Sequence, residues 1–126
     1  MMIKEVKTNK APQAIGPYSQ GMVANGFVFC SGQISLDPET GKIIGDSIRD
    51  QTEQALKNLF AVLKEAGSSP GRVVKTTVLL QDMADFAEMN KVYEQMFGGF
   101  KPARAAFAVK TLPKNVLVEI EAVATV

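Results

Sequence analysis

Val116-Leu117-Val118-Glu119-Ile120-Glu121-Ala122-Val123-Ala124-Thr125 is a two-faced strand. Successive side chains of a strand point to opposite faces of its sheet. Val116, Val118, Ile120, Ala122 and Ala124 therefore make one uniformly apolar face. Leu117, Glu119, Glu121, Val123 and Thr125 make the other. The apolar face demands a covering layer, and the rest of the chain supplies two helices to cover it. From Ile48 to Ala66, the residues Ile48, Thr52, Ala55, Leu56, Leu59, Val62, Leu63 and Ala66 recur at the helical period. Ser47 is placed to cap this helix, with Asp50 as a box-like partner, and Gly67 to stop it in the left-handed conformation. The span Asp85 to Phe97 reads as a second amphipathic helix, with Phe86, Met89, Tyr93, Met96 and Phe97 inward and Gly98-Gly99 ending it.

The remaining pattern is strand. Met22 to Ala24 and Phe27 to Ile34 flank Asn25-Gly26, a pair suited to a type I′ hairpin turn. Val73 to Leu80 is rich in β-branched and aliphatic residues. Arg104 to Lys110 is predicted to pair with Val116 to Thr125 in a final hairpin around Leu112-Pro113-Lys114-Asn115, and Ile3 to Lys7 is a further N-terminal strand. The order predicts an α+β domain, a mixed sheet with two helices packed on one face. Two helices cannot cover both faces. Leu117 and Val123 stand on the uncovered side, joined, depending on register, by Phe27 and Phe29 or by Val28 and Cys30. Such a face is either a contact between copies of the chain, packed sheet to sheet, or a half-wet sheet carrying scattered apolar residues.

Composition bounds the chemistry. The chain has 126 residues, 46% hydrophobic and 21% charged, the size and balance of one folded domain spanning 1–126. Its net charge is +1, and no run of five like charges suggests a nucleic-acid arm. No apolar stretch is long enough to span a membrane. The first ten residues have no apolar signal-peptide core. One cysteine, Cys30, excludes an internal disulfide and fits a reducing, cytoplasmic setting. The absence of histidine excludes a Ser-His-Asp triad, a Cys-His pair and histidine acid/base catalysis, and with one cysteine it leaves no zinc ligand set. Arginine, carboxylates, lysine, hydroxyls, backbone groups and water remain.

Several residues could carry chemistry. Arg104 opens a strand after Pro102-Ala103, with small Ala105 and Ala106 leaving room beside a guanidinium whose fork matches a carboxylate. It is either an anion anchor or a surface residue paired to a glutamate. Glu119 and Glu121 share a strand face. Either is a general base for water or half of a structural ion pair. Asn90 lies on the apolar side of the second helix, and its amide binds ligand or caps a nearby backbone group. Tyr18, in Ile15-Gly16-Pro17-Tyr18-Ser19-Gln20, either faces a pocket or packs. Gly32, in Ser31-Gly32-Gln33, indicates a close approach by ligand or by another strand. Lys75 reads as a solvated charge and Cys30 as a small core residue. Gly67 and Gly98-Gly99 lack the context of a phosphate loop.

Six stretches together go further: Ala14-Ile15-Gly16-Pro17-Tyr18-Ser19-Gln20-Gly21, Ser31-Gly32-Gln33-Ile34, Val74-Lys75-Thr76-Thr77-Val78, Asp85-Phe86 with Asn90 and Tyr93, Pro102-Ala103-Arg104, and Val118-Glu119-Ile120-Glu121-Ala122. In order and spacing they resemble the Rid (reactive intermediate deaminase, YjgF) family over nearly the whole chain. The sequence is most similar to the imine-hydrolysing branch, which carries an arginine at the place of Arg104. The resemblance implies a chorismate-mutase-like topology, and a homotrimer with a central β-barrel and ligand clefts between subunits. It implies hydrolysis of 2-imino acids and enamines, such as 2-iminobutanoate and 2-iminopropanoate, to 2-oxo acids and ammonia. That is metabolite damage control downstream of pyridoxal-phosphate dehydratases, with no cofactor of its own. In this scheme Arg104 grips the carboxylate. Glu119 activates water with help from a backbone carbonyl near Ala106, and Tyr18, Ser31, Gly32 and Asn90 line the pocket. Many relatives have cysteine where this chain has Ala106. A backbone role survives that change, whereas a thiol role does not. Two rival readings use the same chain: a non-enzymatic binder of small carboxylates or holdase-like protein, and a ribonuclease or translation inhibitor.

Overall fold

The computed structural model describes residues 2–126. The single domain expected over 1–126 begins at Met1, which lies outside the described residues. Six strands form one mixed sheet: β1 (Lys4–Val6), β2 (Gly21–Ala24), β3 (Phe27–Gln33), β4 (Val73–Leu80), β5 (Ala103–Ala108) and β6 (Val118–Thr125). Helices α1 (Ile48–Glu65) and α2 (Phe86–Met96) complete an α+β architecture. The strand order is β1-β2-β3-β6-β4-β5, and β4–β5 is the parallel pair. No helix among the described residues is long and apolar enough to cross a membrane.

Local chemistry places the element ends. Asn25 (φ 57°) and Gly26 (φ 81°) both take the left-handed conformation that a tight β2–β3 turn requires. Ser47 caps α1 by accepting a hydrogen bond from the Asp50 backbone N–H at 3.1 Å. At the other end Gly67 (φ 85°) donates to the Lys64 carbonyl and Ser68 to the Leu63 carbonyl, the paired bonds of a Schellman stop.

The core lies between the helices and one sheet face. Val116, Val118, Ile120, Ala122 and Ala124 are all buried there, as the alternation predicted, under Leu56, Leu59, Leu63, Met89 and Tyr93. Each of those leucines stabilises the fold by about 1.5–3 kcal/mol relative to remaining exposed. Thr52 is buried on the inward face, as the period predicted, but two further buried polar residues of α1, Gln51 and Asn58, were not anticipated. The Asn58 amide donates to the carbonyls of Ile34 and Leu36, and Gln51 bonds the Gly45 carbonyl and the Leu117 N–H. Thus α1 fastens the loops on either side of it.

The final hairpin does not exist. β5 pairs parallel with β4, and β6 pairs with β3 and β4, so β4 separates β5 from β6. The reason is burial. α2 carries the chain back to the starting end of β4, which makes β5 its parallel neighbour at the sheet edge. β6 has one wholly apolar face and takes the place beneath the helices, whereas most of β5 is exposed or half-exposed. The opposite sheet face is uncovered. Phe29 aligns with Val123, and Phe27 with Thr125, so these two phenylalanines, rather than Val28 and Cys30, join Val123 there. Leu117, expected on the same face, instead precedes β6 and packs against the core. Phe29 is 49% exposed and Phe107 48%.

Candidate active site

Arg104 stands on β5, in register with Thr76 of β4, which is in turn in register with Ala122 of β6. Paired residues face the same way, so Arg104 is on the helix side of the sheet, at the margin of α2. Its Nη1 donates to Asn90 Oδ1 at 2.7 Å. Its guanidinium carbon lies 4.9 Å from the Tyr93 ring centre and 5.5 Å from that of Phe86. Electron-rich ring faces attract a cation without neutralising it. Beneath, the Tyr93 hydroxyl and Thr76 Oγ1 are 2.7 Å apart, and both residues are buried. Burial pushes the Tyr93 phenol upward, against the Thr76 bond and the Arg104 charge, which pull it down. Arg104, Asn90 and Tyr93 border a cleft of about 460 Å³ whose further walls are Glu94, Gly99, Phe100, Lys101 and Pro102. Arg104 forms no salt bridge with any described residue.

Glu119 belongs to a second cleft, of about 570 Å³, lined among others by Tyr18, Ser31, Gly32, Gln33 and Lys114. It lies in register with Leu79, on the uncovered side of the sheet. β3 and β6 change register between Cys30 and Gln33: three steps on β3 match two on β6, from Ala122 to Ile120. This bulge leaves Ser31-Gly32 out of the ladder and turned toward the cleft. A side-chain carbon on Gly32 would collide with the Glu119 carboxylate, so the glycine exists to let that group lie against the strand. Glu119 is half-buried, and loss of water around it, then the neighbouring Glu121 charge, raise its pKa above the usual carboxylate range. A general base or acid gains from such a shift. Ser31 Oγ donates to the Ser19 carbonyl at 2.5 Å, and its N–H donates to Gln20 O, which ties the Tyr18 loop to β3. Tyr18 itself is 53% exposed at the cleft mouth.

The structure thus sorts the predicted residues into two groups. Arg104 and Asn90 share one cleft; Glu119, Gly32, Ser31 and Tyr18 share the other. Ala106 is half-buried on β5, in register with Val78. Within one chain Arg104 and Glu119 face opposite sides of the sheet, so their expected adjacency in a hairpin is corrected. Glu121 shares the uncovered face with Glu119, as expected, but is exposed. Lys75 is exposed on β4. Cys30 is buried in the core, where loss of water pushes its thiol up to about 12, far from a nucleophilic thiolate. Sequence reasoning missed Lys101 and Phe100, although they immediately precede Pro102-Ala103-Arg104. It also missed Gln20. That buried amide exchanges hydrogen bonds with the Thr8 backbone and reaches the carbonyls of Ala11 and Pro12, forming the wall of the Glu119 cleft.

Comparison with known proteins agrees with this fold. Residues 8–126 match the family model described as Endoribonuclease L-PSP. A RutC family protein of Pyrococcus abyssi is 53% identical over 124 residues, covering 98% of each chain. The 2-iminobutanoate/2-iminopropanoate deaminase of Mus musculus is 49% identical over 121 residues, 96% of this chain and 90% of that one. A crystal structure from Entamoeba histolytica, assigned to the endoribonuclease L-PSP class, superposes with a TM-score of 0.97 at 50% identity, covering 99% of this chain and all of that one. On fold, on extent of match and on identity, the chain belongs to the Rid (YjgF/endoribonuclease L-PSP) family.

Proposed function

We propose that this chain hydrolyses small 2-imino acids, such as 2-iminobutanoate and 2-iminopropanoate, to 2-oxo acids and ammonia. The observation that carries the proposal is Arg104, a guanidinium held at a cleft by neutral groups and left without a counter-ion. A charge so presented suits a carboxylate. The substrate carbon, a protonated imine beside that carboxylate, is already electrophilic. Water adds to it and gives a proton to Glu119. The tetrahedral adduct then takes that proton back at nitrogen. As the C–N bond breaks and ammonia leaves, the hydroxyl proton passes to the Glu119 carboxylate, leaving the 2-oxo acid. The raised pKa of Glu119 suits both halves of that exchange. A positioned base contributes roughly 10² to 10⁴ in rate, enough for a substrate that hydrolyses slowly unaided. The backbone carbonyl of Ala106 assists with the water, and no cofactor is needed.

Arg104 and Glu119 meet only if two chains contribute. The uncovered sheet face, with Phe27, Phe29, Leu79, Phe107 and Val123, is the natural contact, and a homotrimer closing its sheets into a barrel would bring one chain's Arg104 cleft to its neighbour's Glu119 cleft. The mouse relative's name supports the substrate class. Substrate would come from pyridoxal-phosphate dehydratases, whose products include enamines.

The test couples a threonine dehydratase to this protein and follows loss of the 2-imino acid. Arg104→Ala and Glu119→Ala should each reduce kcat/KM by roughly 10². Refolding the two variants together should restore about a quarter of wild-type activity, because a quarter of randomly formed junctions pair an intact arginine with an intact glutamate. Activity in the mixture no higher than in either variant alone would refute the shared site. The family description favours a second reading, RNA cleavage. Against it stand a net charge of +1 and the lack of histidine. Nuclease-free protein that cleaves RNA, and loses cleavage in Arg104→Ala, would revive it. Carboxylate binding at Arg104 without faster imine hydrolysis would instead indicate a binder.

A further inference from the structure

We infer that Asn90 and Tyr93 are positioning residues: they hold the Arg104 guanidinium in place while leaving its charge unspent. The inference rests on the reading of Arg104 as the carboxylate anchor. Arginine has a long, flexible stem, and an anion gains most from a fork that is already oriented. The usual way to orient it, a carboxylate partner, would also neutralise it. Here every direct contact is neutral. Asn90 takes one N–H at 2.7 Å through an amide oxygen. The Tyr93 and Phe86 rings lie 4.9 and 5.5 Å from the guanidinium carbon. Tyr93 is fixed in turn by Thr76, whose strand position is level with Arg104 itself. The line Thr76–Tyr93–Arg104–Asn90 therefore runs from the buried core to the cleft. One carboxylate, Glu94, borders the cleft yet forms no salt bridge with Arg104. Asn90, expected from sequence to line the pocket or cap backbone, lines the cleft and also bonds the anchor.

The choice of asparagine over aspartate is the sharp point. Asn90→Asp keeps the size and the accepting oxygen but adds the charge that the arrangement avoids. It should weaken binding of 2-oxobutanoate by roughly 30-fold by calorimetry. It should also raise KM far more than it lowers kcat. Asn90→Ala should speed rotation of the guanidinium, seen by side-chain ¹⁵N NMR of ligand-free protein, a readout that a residue contacting only substrate would not move. Tyr93→Phe should keep most of the binding, and Tyr93→Leu should lose it. Thermal melting checks that each variant is folded. Binding by Asn90→Asp within threefold of wild type would overturn the inference, as would equal guanidinium rotation in wild type and Asn90→Ala. If wild type binds 2-oxobutanoate through Arg104 but hydrolyses no imine, the enzymatic proposal fails while the clamp stands. If wild type does not bind it, the clamp's stated purpose fails with it.

Discussion

Gly32 and Glu119 are set against each other across the β3 bulge, and each gives a sharp expectation. Gly32→Ala inserts a methyl group where the Glu119 carboxylate lies. The carboxylate, the free end of a flexible side chain, must swing away, which costs the fold little. The expected outcome is a nearly unchanged Tm together with a loss of imine hydrolysis comparable to that in Glu119→Ala. Near-normal rates would separate the glycine from the site. Glu119 also ties stability to pH. Its folded pKa is raised above the ordinary glutamate value of 4.5, first by loss of water and then by Glu121. The folded state therefore holds the proton more tightly than the unfolded one. That advantage is complete below the unfolded value and is lost as pH rises through the folded value. Glu119→Gln, which cannot ionise, should be more stable than wild type near neutral pH and equal to it in acid below 4.5. Urea unfolding at the two ends measures this. Arg104 and Glu119 could be singled out in the sequence because a cation beside small residues and a carboxylate on a strand are unusual. The clamp around Arg104 could not, because Thr76, the Asn90 and Tyr93 pair of α2, and Arg104 come from three separate elements and are brought together only by the path of α2.

Among the elements, α1 carries an imperfection that can be tested. The Thr52 hydroxyl is fully buried and finds no hydrogen-bond partner among the described residues. A buried unpaired hydroxyl destabilises a fold. Thr52→Val keeps the shape and removes the polar atom, so it should raise stability by about 1 kcal/mol in chemical denaturation. A loss of similar size would mean that the hydroxyl is satisfied after all. The elements themselves were largely legible. The helical period, Ser47, Gly67 and the Asn25-Gly26 turn gave α1 and the β2–β3 hairpin to within a residue or two. The pairing of β5 and β6 was misread because alternation tells which face of a strand is buried, not which strand lies beside it. Only the competition for the covered middle of the sheet decides that, and β6 wins it with Val118, Ile120, Ala122 and Ala124. The buried amides Gln51 and Asn58 were invisible for a related reason. Their partners are loop carbonyls, and any residue type offers a carbonyl.

For the molecule as a whole, the uncovered sheet face is the feature with the widest reach. Phe29 and Phe107 stand half-exposed on it beside Val123 and Leu79. Phe29→Asp should place a charge in the proposed contact between copies and leave the domain core untouched. Sedimentation at micromolar concentration should then show a folded monomer, and hydrolysis should disappear with assembly. An unchanged sedimentation coefficient would argue that the copies meet elsewhere. The sequence signalled this face through Val123, but that the cation and the carboxylate stand on opposite sides of the sheet became visible only with the strand order. If the proposed site is shared between chains, a newly made polypeptide leaves the ribosome inert. Its halves would become competent only on meeting sisters, so diluting the pure protein should extinguish turnover while circular dichroism stays constant, and rate per chain against concentration should trace the dissociation curve.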